Sequence, residues 1–179
     1  MKVLIIRFSS IGDIVLTTPI IRALKLQLPE VEIDYCTKSV FKPLLENNPY
    51  IHQIITLEKG ESIGSLSQKL REKKYDVVID LHNKIRSRLL LLFLGRKSYI
   101  LHKYTWQRLL LILTKINKVP QKHIVDFYFD TIAPLGVVND GKGLEFHMPS
   151  ELFQTPTEIQ EIVGSKYVAF VIGGSKPTK

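Results

Sequence analysis

Cysteine and tryptophan each occur once in this chain, and the scarcity of cysteine sets a first limit. Cys36 alone cannot form an internal disulfide, and with no cysteine pair and no H-E-x-x-H motif neither a structural nor a catalytic zinc is expected. We read Cys36 as packing in a strand rather than as a nucleophile. Gly12 stands alone after the first apolar run, so the G-x-G-x-x-G dinucleotide signature is missing; Gly173 and Gly174 do not complete a G-x-x-x-x-G-K-[ST] loop. Long apolar runs are also lacking. Leu89–Leu94 and Leu109–Leu113 are far too short to span a bilayer, and the amino terminus has no secretory pattern, so a cytoplasmic home is expected. The most telling shortage is of acid. From Leu81 to Val125 there is no Asp or Glu, while Lys84, Arg86, Arg88, Arg96, Lys97, Lys103, Arg108, Lys115, Lys118 and Lys122 all fall there. Those ten charges exceed the net charge of +8, so the rest of the chain is slightly acidic. Such a stretch is either a set of solvated helix faces or a surface that meets something anionic, and we favour the second.

What is present reads as alternating strand and helix. With 179 residues, 45% apolar and 23% charged, the chain can bury one good core but is short for two complete domains. The spacing predicts strands at Val3–Ile6, Glu32–Cys36, Ile51–Ile55, Tyr75–Asp80 and Lys97–Leu101. It predicts helices over 14–25, 39–46 (interrupted by Pro43), 64–73, 85–94, 106–116 and 124–135, with Gly95 and Gly136 as stops. Short connections between alternating elements argue for an α/β fold with a Rossmann-like, doubly wound parallel sheet. After the turn-rich stretch 139–143 a further unit begins. Pro156–Val163 reads as a short helix, Tyr167–Ile172 as a buried strand and 173–179 as a Gly-rich loop. We place residues 1–150 in an amino-terminal domain and 151–179 in a linker plus the first strand and loop of a second domain that is cut short; a further strand of one sheet is the alternative.

Arg7-Phe8-Ser9-Ser10-Ile11-Gly12-Asp13 joins the first strand to the first helix, at the carboxyl end of a strand, where open α/β sheets bind ligands. A carboxylate at the start of a helix stays ionised, so Asp13 is the candidate general base. Backbone N–H groups around Ser10, Ile11 and Gly12 are suited to an anionic group of a substrate. His123 and Asp126 lie one turn apart and read as a solvated helix face rather than a catalytic pair. Trp106, Leu109, Leu110 and Leu113 fit an interfacial helix face, although core packing is the expected role for most of them.

Ser9-Ser10-Ile11-Gly12-Asp13 with Thr18-Pro19 resembles the opening of glycosyltransferase family 9, the lipopolysaccharide ADP-heptose heptosyltransferases. Tyr75-Asp76-Val77-Val78-Ile79-Asp80-Leu81 followed by Arg86-Ser87 is similar to the family's second motif, with His82-Asn83 where Gln-Gly is usual. His123-Ile124-Val125-Asp126 with Leu135-Gly136 resembles a third, and 173–179 the opening of the donor loop, with Gly173 in place of Pro. The resemblance runs in order over nearly the whole chain. It implies the acceptor-side half of a GT-B fold, two Rossmann-like domains facing across a cleft.

The implied activity is inverting transfer of a sugar, heptose from ADP-heptose, to a lipopolysaccharide inner-core acceptor that ends in the sugar acid Kdo. The resemblance makes Asp13 catalytic, places Ser9, Ser10, Gly12, Lys84, Arg86 and Ser87 at the acceptor, and places Ser175, Thr178 and Lys179 at the donor diphosphate. It implies no metal, no cofactor beyond the nucleotide-sugar substrate, no nucleic-acid partner, and a cytoplasmic enzyme peripheral to an anionic inner membrane. The 179 residues alone are expected to be inactive and to bind nucleotide weakly. Two other readings stay open. One is a non-catalytic anion- or lipid-binding Rossmann-like module, which gains nothing from a carboxylate in its cleft. The other is a self-sufficient flavodoxin-like nucleotide binder, which should bind a nucleotide unaided.

Overall fold

The computed structural model describes residues 1–118 and 120–149. The chain falls into two compact units, Met1–His147 and Met148–Lys179. The expectations for 156–179, including Ser175, Thr178 and Lys179, lie outside the described residues.

Five parallel strands form one sheet in the order β3-β2-β1-β4-β5. They are β1 (Lys2–Ile6), β2 (Glu32–Lys38), β3 (Gln53–Leu57), β4 (Val77–Asp80) and β5 (Lys97–Ile100). Side chains alternate across a strand, so β1 feeds two cores. Val3 and Ile5 pack with Ile20, Leu24, Tyr128 and Ile132 on one face. Leu4 and Ile6 pack with Leu66, Leu70, Leu90 and Leu94 on the other. Cys36 joins the second core, and burial pushes its thiol well above the usual range, in keeping with a packing role.

Sequence spacing predicts one helix over 14–25; the structure has two, α1 (Ile11–Val15) and α2 (Thr18–Gln27). The break follows from Pro19, whose ring nitrogen cannot donate to the Val15 carbonyl four residues back. Thr18 Oγ1 donates to that carbonyl instead, at 2.9 Å. Thr17 Oγ1 donates to the Ile14 carbonyl at 2.7 Å and meets the buried Tyr35 hydroxyl at 3.0 Å. Pro19 then sits in the first turn of α2, where its fixed φ suits a helix start. The other helices are α3 (Ile63–Arg71), α4 (Ile85–Leu94), α5 (Thr105–Thr114) and α6 (Ile124–Ile132). Residues Ser39–Leu44 and Ala133–Leu135 wind as 3-10 turns. Gly95 and Gly136 close their elements at φ 59° and 76°, as the sequence predicts. β3 begins two residues later than the spacing predicts.

After α6 the chain returns along α2. The Gln27 side chain donates to the Val138 carbonyl at 2.7 Å and accepts from the Val138 N–H at 3.0 Å. Arg22, almost fully buried, grips Asp140 with two hydrogen bonds of 2.8 Å, donates to the Gly143 carbonyl at 2.9 Å and pairs with Glu145 at 3.1 Å. That clamp draws the Asp140 carboxyl down to about 2. The clamp fastens the end of this unit to the helix that follows the cleft loop.

Candidate functional site

Strand order reverses between β1 and β4, so their carboxyl ends leave a crevice uncovered by a crossover. Arg7 leaves β1 at this point and is nearly buried. Its Nε donates to the Ser9 carbonyl at 2.8 Å, Nη1 donates to the Leu81 carbonyl just past β4, and Nη2 pairs with Asp13 Oδ2 at 2.5 Å. One guanidinium therefore joins the two strand ends to α1.

Asp13 Oδ2 also accepts from the Ser10 N–H at 3.2 Å and the Ser10 hydroxyl at 3.1 Å. Among the described residues nothing bonds Oδ1, and the side chain is 38% exposed. Partial burial works against the charged form. The Ser10 amide, the Arg7 charge and the Arg7 and Ser10 hydrogen bonds outweigh it and hold the carboxyl below its ordinary value. The site thus presents an ionised carboxylate with one oxygen anchored and the other open to a ligand.

The β4 loop is shaped by Asp80, whose Oδ1 accepts from the His82 N–H at 2.9 Å and the Asn83 N–H at 2.8 Å. Asn83 adopts φ 44°, a left-handed conformation that Gly or Asn takes most readily. This accounts for Asn83 where the resembled motif has Gly. Its side-chain amide donates to the Leu101 carbonyl at 2.6 Å and accepts from Arg88 at 3.0 Å. The His82 ring meets the Phe8 ring edge-on, with centroids 5.3 Å apart, and its buried Nδ1 has no hydrogen-bond partner among the described residues. Burial first, then the charges of Arg7, Lys103, Lys84 and Lys38, push His82 down to about 4, so it is neutral near pH 7.

Lys103 completes the crevice from beyond β5. Its Nζ donates to the His82 carbonyl and, at 3.0 Å, to the Asn83 carbonyl. Burial and the neighbouring Lys84 and Arg7 lower its pKa to about 8, against the pull of Asp80 and Asp13. In the sequence Lys103 is one of ten basic residues in the acid-free stretch. Its place just past the carboxyl end of β5 is the signal that singles it out.

The other expected site residues separate. Ser9 is half-buried and gives its carbonyl to Arg7, Ser10 is exposed beside Asp13, and a Cβ built on Gly12 meets nothing within 4 Å. Lys84 is exposed at the start of α4 and close enough to act on both His82 and Lys103. Arg86 is exposed too, but opens onto a cleft of about 470 Å³ that it shares with Lys38, Ser39 and Lys59. Ser87 corrects the expectation. It is fully buried, and its hydroxyl accepts from the Lys84 N–H and donates to the Lys84 carbonyl, both at 3.0 Å. Ser87 braces the first turn of α4 rather than facing a ligand. His123 caps α6 by accepting from the Val125 N–H at 3.3 Å.

At the opposite edge of the sheet Glu32, Asp34 and His52 bring ligand atoms within 4.8 Å of one another. Lys2 pairs with Glu32 and lies 3.8 Å from Asp34, and the Tyr75 hydroxyl donates to Asp34 at 2.7 Å. The resident ammonium supplies the positive charge, so this group is a structural ion-pair network rather than a metal site.

Fold and crevice together define a class: a doubly wound Rossmann-like unit of GT-B glycosyltransferase architecture, with an anchored carboxylate among cations at its switch point. Glycosyltransferase family 9 (heptosyltransferase) matches residues 63–179, and the chain belongs to that family. It is 30% identical over 142 residues to lipopolysaccharide heptosyltransferase 3 of Escherichia coli K12, covering 72% of this chain and 40% of that protein. The fold matches a glycosyl transferase family 9 protein of Veillonella parvula with a TM-score of 0.72 at 22% identity, over 98% of this chain and 54% of that one. It also matches E. coli heptosyltransferase WaaC with ADP, TM-score 0.61 at 21% identity, over 81% of this chain and 50% of that one. The chain thus spans about half, or less, of the length of these relatives.

Proposed function

We propose that this chain is the acceptor-holding half of an inverting heptosyltransferase-like enzyme, with Asp13 as general base. The observation that carries the reading is the open Oδ1 of an ionised carboxylate fixed at the sheet's switch point. An acceptor hydroxyl hydrogen-bonded to Oδ1 would pass its proton there as its oxygen attacks the anomeric carbon. The bond from that carbon to the nucleotide diphosphate breaks on the opposite face, with inversion. Because Arg7 weakens Asp13 as a base, proton transfer follows attack closely rather than preceding it. Lys103, Lys84 and Arg7 supply positive charge for the carboxylate of a sugar acid such as Kdo, and Arg86 reaches a more distant anionic group.

The donor we propose is ADP-heptose. Support comes from WaaC, solved with ADP and with ADP-2-deoxy-2-fluoro heptose. Ser175, Thr178 and Lys179 are proposed to meet its diphosphate, and lipopolysaccharide core is the proposed acceptor class, as the name of the E. coli K12 relative indicates. The test is Asp13→Asn in the full-length protein. Turnover should fall by about 10²–10⁴-fold, the usual worth of a positioned base, with donor affinity retained. Near-normal turnover would remove Asp13 from the chemistry. The same variant separates the anion-binding alternative, in which deleting a negative charge tightens anion binding and nothing is lost.

A further inference from the structure

We propose that α5 docks on an anionic lipid bilayer, laying its apolar face into the interface while neighbouring lysines meet the headgroups. Trp106, Leu109, Leu110 and Leu113 recur at the i, i+3, i+4, i+7 spacing of one helical stripe. Core packing was the expected role for most of them, and the structure reverses it. Trp106 is 80% exposed, Leu113 73% and Ile112, beside the stripe, 68%. Leu109 and Ile116 are exposed as well, and the stripe lines a shallow, almost wholly apolar depression.

Charge complementarity selects the occupant. Lys115 and Lys118 follow the helix, both exposed and with no carboxylate partner among the described residues. No acid occurs anywhere between Leu81 and Val125, so nothing on this stretch repels an anionic surface. An apolar face flanked by uncompensated lysines is the pattern of a helix lying in the plane of an anionic interface. Spanning is excluded for this helix, since none among the described residues is long and apolar enough to cross a membrane. A partner protein would need acidic residues around an apolar ridge, whereas anionic lipid supplies both requirements at once. The proposal goes beyond the transfer reading and does not depend on Asp13.

Trp106 is the only tryptophan in the chain, so its fluorescence reports α5 alone. With vesicles of phosphatidylcholine and phosphatidylglycerol we expect the emission to move to the blue and the chain to float with the vesicles. With phosphatidylcholine alone both signals should be small, and salt should weaken binding to the mixed vesicles. Ile112→Asp and Leu113→Asp should abolish both signals at an unchanged melting temperature, because both side chains face outward. Lys115→Gln and Lys118→Gln should each weaken vesicle affinity about fivefold, the equivalent of about 1 kcal/mol per charge near an anionic surface. The proposal is overturned by an unmoved emission with the mixed vesicles, or by Leu113→Asp binding as well as the wild type. A blue shift that grows with protein concentration without lipid also overturns it, and identifies a second copy of the chain as the occupant.

Discussion

Lys103 allows a sharp test, because burial and the neighbouring Lys84 and Arg7 charges lower its pKa to about 8, within easy reach of a pH titration. Asp13 is held ionised from well below neutrality, and His82, pushed to about 4, stays uncharged. A group with a pKa of about 8 is about 90% protonated at pH 7 and about 10% at pH 9. If the ammonium holds an anionic group of the acceptor, apparent acceptor affinity should fall by almost tenfold across that interval. A bound anion raises the pKa of the complex, so the loss begins near the free value of about 8 and continues up to the raised one. Lys103→Arg keeps the charge at all these pH values and should flatten the profile, while Lys103→Gln should be weak throughout. The measurement is the acceptor KM of the full-length protein against pH, with kcat followed separately. For the chain alone, NMR titration with a sugar acid gives the same comparison. An alkaline loss that survives in Lys103→Arg would show that another group titrates, and a flat wild-type profile would remove Lys103 from the anion site.

Two further expectations concern the frame. Asp140 is drawn from 3.8 to about 2, chiefly by its hydrogen bonds to Arg22. A depressed carboxyl contributes stability above its unfolded value and loses it as pH falls from about 4 through about 2. Discounted for solvent screening, the contribution is about 1 kcal/mol. The melting-temperature gap between wild type and Asp140→Asn should therefore close over that window, and a gap constant with pH would contradict the clamp. Gly12→Ala places a methyl in open space inside a short helix, so stability should hold or rise by up to about 1 kcal/mol. Weaker acceptor binding by that variant would show a ligand approaching the Gly12 backbone; equal binding would show that none comes close.

The local patterns were legible because short-range physics writes them. Gly95 and Gly136 fall at left-handed stops, α4 runs over the predicted 85–94, and all five strands start within two residues of their expected positions. Pro19 splits one predicted helix at Leu16-Thr17, where the Thr17 and Thr18 hydroxyls take over the carbonyls. Ser87 looked like a ligand residue because it followed Arg86 in the motif. Its hydroxyl turns back onto Lys84, a choice that depends on the side chain's burial under the helix.

By itself the sequence determined the alternation of strand and helix, the acid-free basic stretch, and the carboxylate at the first strand-to-helix junction, since each is a matter of neighbours along the chain. Tertiary structure alone brought Arg7, Asp13, His82 and Lys103 together, across a separation of nearly a hundred residues. Parallel strands carry their carboxyl ends to one edge of the sheet, and only the strand order decides which of those ends meet. The same folding left the Trp106 face outside, because an apolar stripe records what a helix can bury, while the surrounding elements decide whether anything covers it.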